Sequence, residues 1–318
     1  MSAHAATATD PPTSHRRVHR GGSDGSRLAA DRRLGYALVA PVVLLLLAVT
    51  AYPLAYNLWN SFHSVNLSEA GSARSFVGLD NYTKMFGSSV WLSSLERTLA
   101  FSAASVAIET VIALALALML HRRFRGRGLL RAAVLIPWAV PTVVSATLWK
   151  TMFDSRTGFV DYLLGNAGLP GAHTTWLAGI WTSWAAIFVA DAWKNVPFMA
   201  IILLAGLQVI PDEVYEAARI DGASSWQSFR RMTLPLLKPA LAVALIFRTL
   251  QAFLVFDVIY IMTGGGPGVS TETLSFLNWQ TFLVGTDFGY GGAISVMLVV
   301  MALAIAAVYV RVLRPETS

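Results

Sequence analysis

The chain has 318 residues, of which 55% are hydrophobic and only 13% charged, against about a quarter charged in ordinary soluble domains. It contains no cysteine, which excludes disulfides, thiolate metal sites and cysteine nucleophiles. Its net charge of +6 sits in arginine clusters between apolar blocks, so it reads as membrane topology and not as a nucleic-acid footprint.

Residues 1–33 are polybasic and rich in Ser, Ala, Thr and Pro, a composition that predicts a disordered tail, either solvated or touching anionic lipid. From Leu34 to Ser68 there is no Asp, Glu, Lys or Arg, and a first span is expected at 34–60. It is too long for the apolar region of a signal peptide and is expected to be retained. A second span, 97–120, carries one acid, Glu109. Further spans are predicted at 129–151, 181–208, 238–262 and 289–311. Apolar character from Trp176 onward exceeds one crossing, so part of the fourth block is expected outside the membrane. A helix needs about 20 apolar residues to cross the hydrocarbon layer, and backbone groups in lipid must be satisfied internally. The chain is therefore predicted to be an all-α membrane protein of six transmembrane helices, with one domain over 34–315.

Basic residues alternate from one connection to the next. Arg16, Arg17, Arg20, Arg27, Arg32 and Arg33 precede the first span, and Arg122, Arg123, Arg125, Arg127 and Arg131 follow the second. Arg219, Arg230, Arg231 and Lys238 lie between the fourth and fifth, and Arg311 and Arg314 follow the last. The intervening connections hold few. Positive charge marks the cytoplasmic side, which predicts that both termini and the connection between the fourth and fifth spans are cytoplasmic.

Enzymatic chemistry finds no constellation. No glycine-rich phosphate loop precedes any of Lys84, Lys150, Lys194 or Lys238, and neither H-E-x-x-H nor G-x-S-x-G occurs. No catalytic residue, metal site or cofactor is expected in this chain.

Between the fourth and fifth spans the sequence turns polar. Pro211 stops the fourth span, and Asp212, Glu213 and Glu216 open a new helix where its dipole favours negative charge. Gly222 suits a left-handed residue ending that helix. Ser224 and Gln227 have capping-box spacing, and Trp226 and Phe229 fall on one face of a second short helix. Leu234–Pro235 is expected to end it, with Pro239 in the first turn of the fifth span. Physics alone leaves two readings of this elbow, an amphipathic loop at the lipid headgroups or a knob gripped by another protein.

The stretch EAARIDGASSWQSFRRMTLPLLKP, 216–239, closely resembles the EAA loop of ABC-importer permeases of the carbohydrate branch. Glu216, Ala217, Ala218, Asp221, Gly222, Ala223, Phe229, Leu234, Pro235 and Pro239 match the pattern. FVGLDNYTKMF (76–86), IPWAVPTVVSATLWK (136–150), WKNVPFMAIILLAGLQVIP (193–211) and TGGGPGVSTETL (263–274) extend the resemblance to roughly 35–315, and to the first permease of the pair. The enteric maltose permease of this type carries extra N-terminal spans and a large periplasmic insertion, both missing here. The resemblance implies a type I ABC-importer permease fold in which 211–239 is a coupling loop seated on an ATPase subunit. Gly222 would supply its turn, Ala217, Ala218 and Ala223 the close approach, and Glu216 an acceptor for the partner.

Charged residues inside spans suggest function. Asp191 and Lys194 lie three apart in the fourth span, where they either serve the pathway or pair with each other. Arg248 and Gln251 repeat that spacing in the fifth, with Asp257 beyond. Glu109 and Lys150 read as structural or interfacial. Alignment to the family's sugar contacts places Asp191, Lys194, Asn195, Phe198, Arg248, Gln251 and Val255 on the substrate path, although the family's asparagines in the fifth span are not preserved. GGGPG at 264–268 lies outside, lacks a lysine and reads as a tight turn.

The resemblance implies the permease subunit of an ABC sugar importer, partnered by a second homologous permease, two copies of an ATPase subunit and an extracytoplasmic solute-binding protein. ATP and Mg would be bound by the ATPases alone. The first expectation for the substrate is a disaccharide such as trehalose or maltose. Glycerol-3-phosphate is the alternative, because Lys194 and Arg248 would attract its phosphate, and an ion-coupled secondary transporter using Asp191 or Asp257 is a rival of another class.

Overall fold

A computed structural model describes residues 24–67, 74–122, 124–171 and 174–312. The chain divides into two units, one ending at Ala55 and one running from Tyr56. Helix α1, Asp24–Ser61, passes through that boundary. It begins at Asp24 instead of Leu34, so the expected tail over 1–33 is helical from Asp24, and its remaining residues lie outside those described.

The second unit opens on a two-residue antiparallel pair, β1 (His63–Ser64) with β2 (Ser75–Phe76). The amide of Asn81 donates to the carbonyls of Ser61 and His63 at 2.9 and 3.0 Å, fastening this turn to helix α2, Asp80–Gly87. Helix α3, Ser89–His121, starts at Ser88, whose hydroxyl accepts the Trp91 N–H. Then come α4 (Arg127–Ala139), α5 (Thr142–Met152), α6 (Phe159–Asn166) and α7 (Ile180–Val209). The polar elbow holds α8 (Asp212–Ile220) and α9 (Ser225–Ser228), and a π turn at Phe229–Thr233 leads into α10, Leu234–Phe253. Helix α11 is Asp257–Met262 and α12 is Leu274–Trp279; a second π turn, Gln280–Val284, precedes α13, Phe288–Val312.

Among the described residues five helical stretches are long and apolar enough to cross a membrane: Leu34–Ser61, Ser89–His121, Ile180–Val209, Ser225–Phe253 and Phe288–Val312. The expected third span, 129–151, is not one helix. Helices α4 and α5 meet at 91°, because Pro141 forces the preceding Val140 out of helical geometry, to φ −70 and ψ 132. The fifth span is also broken. Helix α10 ends at Phe253, and Leu254–Phe256 interrupt it before α11, where 238–262 was expected to be continuous.

At its other end α10 begins earlier than expected. Leu234–Pro235 does not terminate the second elbow helix, which runs on through the π turn into α10. The Leu234 N–H reaches the Phe229 carbonyl five residues back, and Pro235, which has no N–H to give, follows where the ladder changes register.

Helices α3, α7 and α10 form the centre of the second unit. Their contact is made by small residues and leucines, with Ala113, Ala117, Leu203, Leu207 and Leu237 fully buried. Gly206 sits where a Cβ would lie 2.4 Å from that of Ala240 and 2.9 Å from Leu237 Cδ1. Only a glycine lets α10 approach α7 so closely, which is how helices pack where lipid removes the hydrophobic drive between them. Helix α11 packs on α5, and α13 on α2 and α12.

Candidate functional site: a cavity between two broken helices, and an exposed elbow

Both helix breaks open onto the same cavity, of about 680 Å³. Trp138, Val140 and Pro141 come to it from the α4–α5 bend, and Leu254, Val255 and Phe256 from the α10–α11 break. Irregular backbone at membrane depth is tolerated where it lines a cavity or is buried in protein. The exposed carbonyls are met by specific donors. Lys194 on α7 donates to the Val140 carbonyl and, at 3.3 Å, to that of Trp138, so its charge also compensates the C-terminal end of α4. Thr273 donates to the Val255 carbonyl at 3.1 Å.

At the cavity's inner wall three helices meet in a buried charge cluster. Arg248 on α10 is 2% exposed and Glu109 on α3 1%. The Arg248 guanidinium donates to both oxygens of Glu109, to Asp191 Oδ2 on α7, and to the Ser105 hydroxyl at 2.6 Å. Ser105, one turn before Glu109 on α3, lies 3.0 Å from Glu109 and 2.9 Å from Asp191, and its single proton serves one of them. Asn195 donates to Asp191 Oδ1 at 2.8 Å. Each charge is thus held by several partners, the condition under which a buried ion pair offsets its desolvation.

This geometry sorts the residues expected on the substrate path. Asp191, Lys194, Asn195, Arg248, Gln251 and Val255 all line the cavity. Asp191 and Lys194 do not pair with each other; Asp191 pairs with Arg248, and Lys194 with backbone. Phe198 lies behind the lining, its ring stacked on Trp138 at 5.0 Å and 9° and edge-on to Phe247 at 6.4 Å. The aromatic faces in the cavity are instead Trp138, Phe247 and Phe256. Glu109, read as structural or interfacial, is buried beside Asp191 as a partner of Arg248, a pairing that sequence spacing did not reveal. A signal existed, since lone opposite charges in separate spans must find each other. With Gln251 and Asp257 also on the wall, the cavity offers donors, acceptors and ring faces to a polyhydroxylated solute.

The elbow takes the shape its local sequence dictates. Pro211 is extended at φ −62 and ψ 140 before α8, and Gly222 turns the chain at φ 75. Both arms of the capping box form: Gln227 N–H to Ser224 Oγ at 3.3 Å, and Ser224 N–H to Gln227 Oε1 at 2.8 Å. Trp226 and Phe229 stack at 5.5 Å, and Trp226 is 66% exposed. Glu216, Ala217, Asp221, Gly222 and Pro235 are exposed, and Ala223 and Phe229 half-buried. Ala218 is buried within the chain itself at 3%, so its smallness serves internal packing. Among the described residues no group of three His, Asp or Glu side chains could hold a metal.

Residues 109–314 match the family described as binding-protein-dependent transport system inner membrane component. The chain is 43% identical over 285 residues to the trehalose/maltose transport system permease protein MalF of Thermococcus litoralis, an alignment covering 89% of this chain and 95% of that protein. It is 42% identical over 287 residues to the trehalose transport system permease protein SugA of Mycobacterium tuberculosis, with 90% of each chain covered. Among solved structures, a chain of a bacterial ABC transporter involved in the import of the acidic polysaccharide alginate superimposes with a TM-score of 0.78 at 25% identity, covering 92% of this chain and 100% of that one. The fold is that of an ABC-importer permease. The multi-pass membrane chain whose breaks and buried charges enclose this cavity belongs to the family of binding-protein-dependent transport system inner membrane components.

Proposed function

We propose that this chain forms half of the translocation pathway of an ATP-driven importer for a neutral disaccharide of the trehalose or maltose type. The observation that carries the reading is the wall of the central cavity. Lys194, Asn195, Gln251 and Asp257 stand beside Trp138 and Phe247, a combination suited to hydroxyl groups and the apolar face of a sugar ring. The names of the two relatives in trehalose and maltose transport support the same class. Glycerol-3-phosphate is less well served, because Arg248 is already engaged by two carboxylates and is not an uncommitted anion receptor.

The reading assigns the elbow, 211–239, to the cytoplasm with both termini, in keeping with the arginine distribution. There it docks on one of two ATPase subunits, which bind ATP and Mg; this chain binds neither. Glu216, Ala217, Asp221, Gly222, Ala223, Phe229 and Pro235 form the docking surface, and Ala218 supports it from within. A second, homologous permease completes the pathway, and an extracytoplasmic solute-binding protein delivers the sugar. ATP-driven closure of the ATPases moves the elbow as a lever. Because α9, the π turn and α10 are one continuous rod from Ser225 to Phe253, displacement of the elbow is transmitted to Arg248 and the cavity wall.

The test is accumulation of labelled trehalose, maltose and glycerol-3-phosphate by proteoliposomes holding both permeases, the ATPases and the loaded binding protein. Trehalose or maltose uptake that requires ATP is expected. Uptake that persists without the ATPase subunits and collapses with a proton or sodium gradient would establish the ion-coupled alternative.

A further inference from the structure

A second pocket, of about 390 Å³, adjoins the central cavity at Phe256, which lines both. Its volume falls in the range of about 300–1,000 Å³ found for small-molecule sites. One wall comes from α12 and the π turn after it, where Ser275, Asn278, Trp279 and Phe282 recur at helical spacing and so share a face. The lining also includes Ser295 of α13 and Asn57 near the end of α1, both within the second unit.

The chemistry of this pocket is specific. No charged side chain lines it. Asn278 and Ser295 bond each other, amide N–H to hydroxyl at 2.9 Å and hydroxyl to amide oxygen at 3.2 Å, which fixes that amide while leaving it a second N–H and a free lone pair. Asn57 Oδ1 is buried and has no hydrogen-bond partner, an arrangement that folding alone does not favour and that rotation of this half-buried amide onto a ligand donor would relieve. Trp279 is braced by Tyr260, edge-on at 4.7 Å, and by Phe276 at 5.5 Å. Its ring is therefore positioned before any ligand arrives.

We propose that this pocket is an outer sugar subsite, which holds one neutral sugar ring by Asn57, Asn278, Ser295 and the Trp279 face before the ring passes Phe256 into the central cavity. Its place follows from connectivity, since Phe256 lies in the break just beyond Phe253, where the rod that starts at the elbow ends, so the pocket lies toward the opposite end of that rod. The inference rests on the importer reading above, with the elbow in the cytoplasm. Its uncharged lining suits a neutral sugar better than a phosphorylated one, in keeping with the neutral solute proposed for the central cavity.

The complete importer in proteoliposomes, with trehalose as probe, provides the test. Trp279→Ala and Asn57→Leu are each expected to lower the trehalose moved per ATP hydrolysed by about fivefold, the scale of one lost contact, while ATP hydrolysis stays at the wild-type rate. Trp279→Phe, which keeps a ring face, is expected to restore most of the ratio. A purely packing role would lower transport and hydrolysis together and leave the ratio unchanged, which overturns the proposal. In a chain without cysteine, Ser275→Cys adds a readout that does not depend on those variants assembling. Trehalose is expected to slow its labelling by a thiol reagent in the ATP-trapped complex, and labelling at the same rate with and without trehalose overturns the subsite. Reduced copurification of the paired permease by Trp279→Ala, with no sugar protection at Ser275→Cys, would make the pocket a subunit contact instead. If the wild-type complex moves no sugar at all, the importer reading itself has failed, an outcome distinct from wild-type transport with an unaltered ratio in the variants.

Discussion

The elbow and the charge cluster are both polar intrusions into an apolar chain, yet they are stabilised by opposite means. In the elbow, the groups that set the shape lie within a few residues of one another: Gly222 at its positive φ, Ser224 with Gln227, and Trp226 on Phe229. Most of the remaining polar groups face outward, Thr233 being buried against the Tyr215 hydroxyl. In the cluster, Arg248 meets Glu109 across 139 residues and Asp191 across 57. A polar segment outside the bilayer can leave its remaining hydrogen bonds to water. A charge inside a span has no such recourse and must be matched from another helix. Local chemistry therefore makes the elbow, and only assembly of α3, α7 and α10 makes the cluster.

Removing the charge at the cluster's centre should break this comparison most severely. Arg248→Met leaves two carboxylates buried without their cation, and a loss of about 3–5 kcal/mol is expected, read as a collapse in thermal stability of the purified complex. Adding Glu109→Gln and Asp191→Asn should recover part of it. A wild-type melting temperature for Arg248→Met would show that the cluster is not what ties the three helices. Next in size is Gly206→Val. The new side chain would strike Ala240 and Leu237, and overpacking of this kind costs about 1–3 kcal/mol; the same melting experiment reads it.

In the elbow the effects should be smaller and confined. Ser224→Ala removes the cap at the start of α9 and is expected to cost about 1 kcal/mol, seen as faster amide exchange over 225–229 with exchange in α3 and α7 unchanged. Exchange that rises throughout the bundle would contradict the local character of the elbow. Glu216→Lys should change stability by less than about 0.5 kcal/mol, since the side chain is exposed, while uptake is lost and the permease pair still assembles. Full uptake by Glu216→Lys would remove this residue from the coupling surface.

Much of the elbow was legible because a cap, a glycine turn and an i, i+3 aromatic pair are short-range devices. The exception is instructive. Pro235 was expected to end a helix, but the preceding π turn absorbs the register change, and the rod continues to Phe253. The cavity was legible only in part. Helical spacing put Asp191 with Lys194 and Arg248 with Gln251, but spacing within one helix says nothing about which neighbour a side chain faces. Arg248 turned to α3 and α7 while Gln251 stayed on the cavity wall. Phe198 followed its helix to a place behind Trp138, a ring that belongs to another span.

The sequence by itself determined that this is a multi-span helical membrane protein with a polar elbow between its fourth and fifth apolar segments. Those properties follow from block length, charge placement and local turn chemistry, all of which act over a few residues to one helix. The tertiary structure decided that two spans break, that both breaks face one cavity, and that Glu109, Asp191 and Arg248 meet at its wall. These depend on partners far apart in sequence. In a bilayer, such partners are chosen by which helices can approach closely enough to satisfy buried backbone and charge.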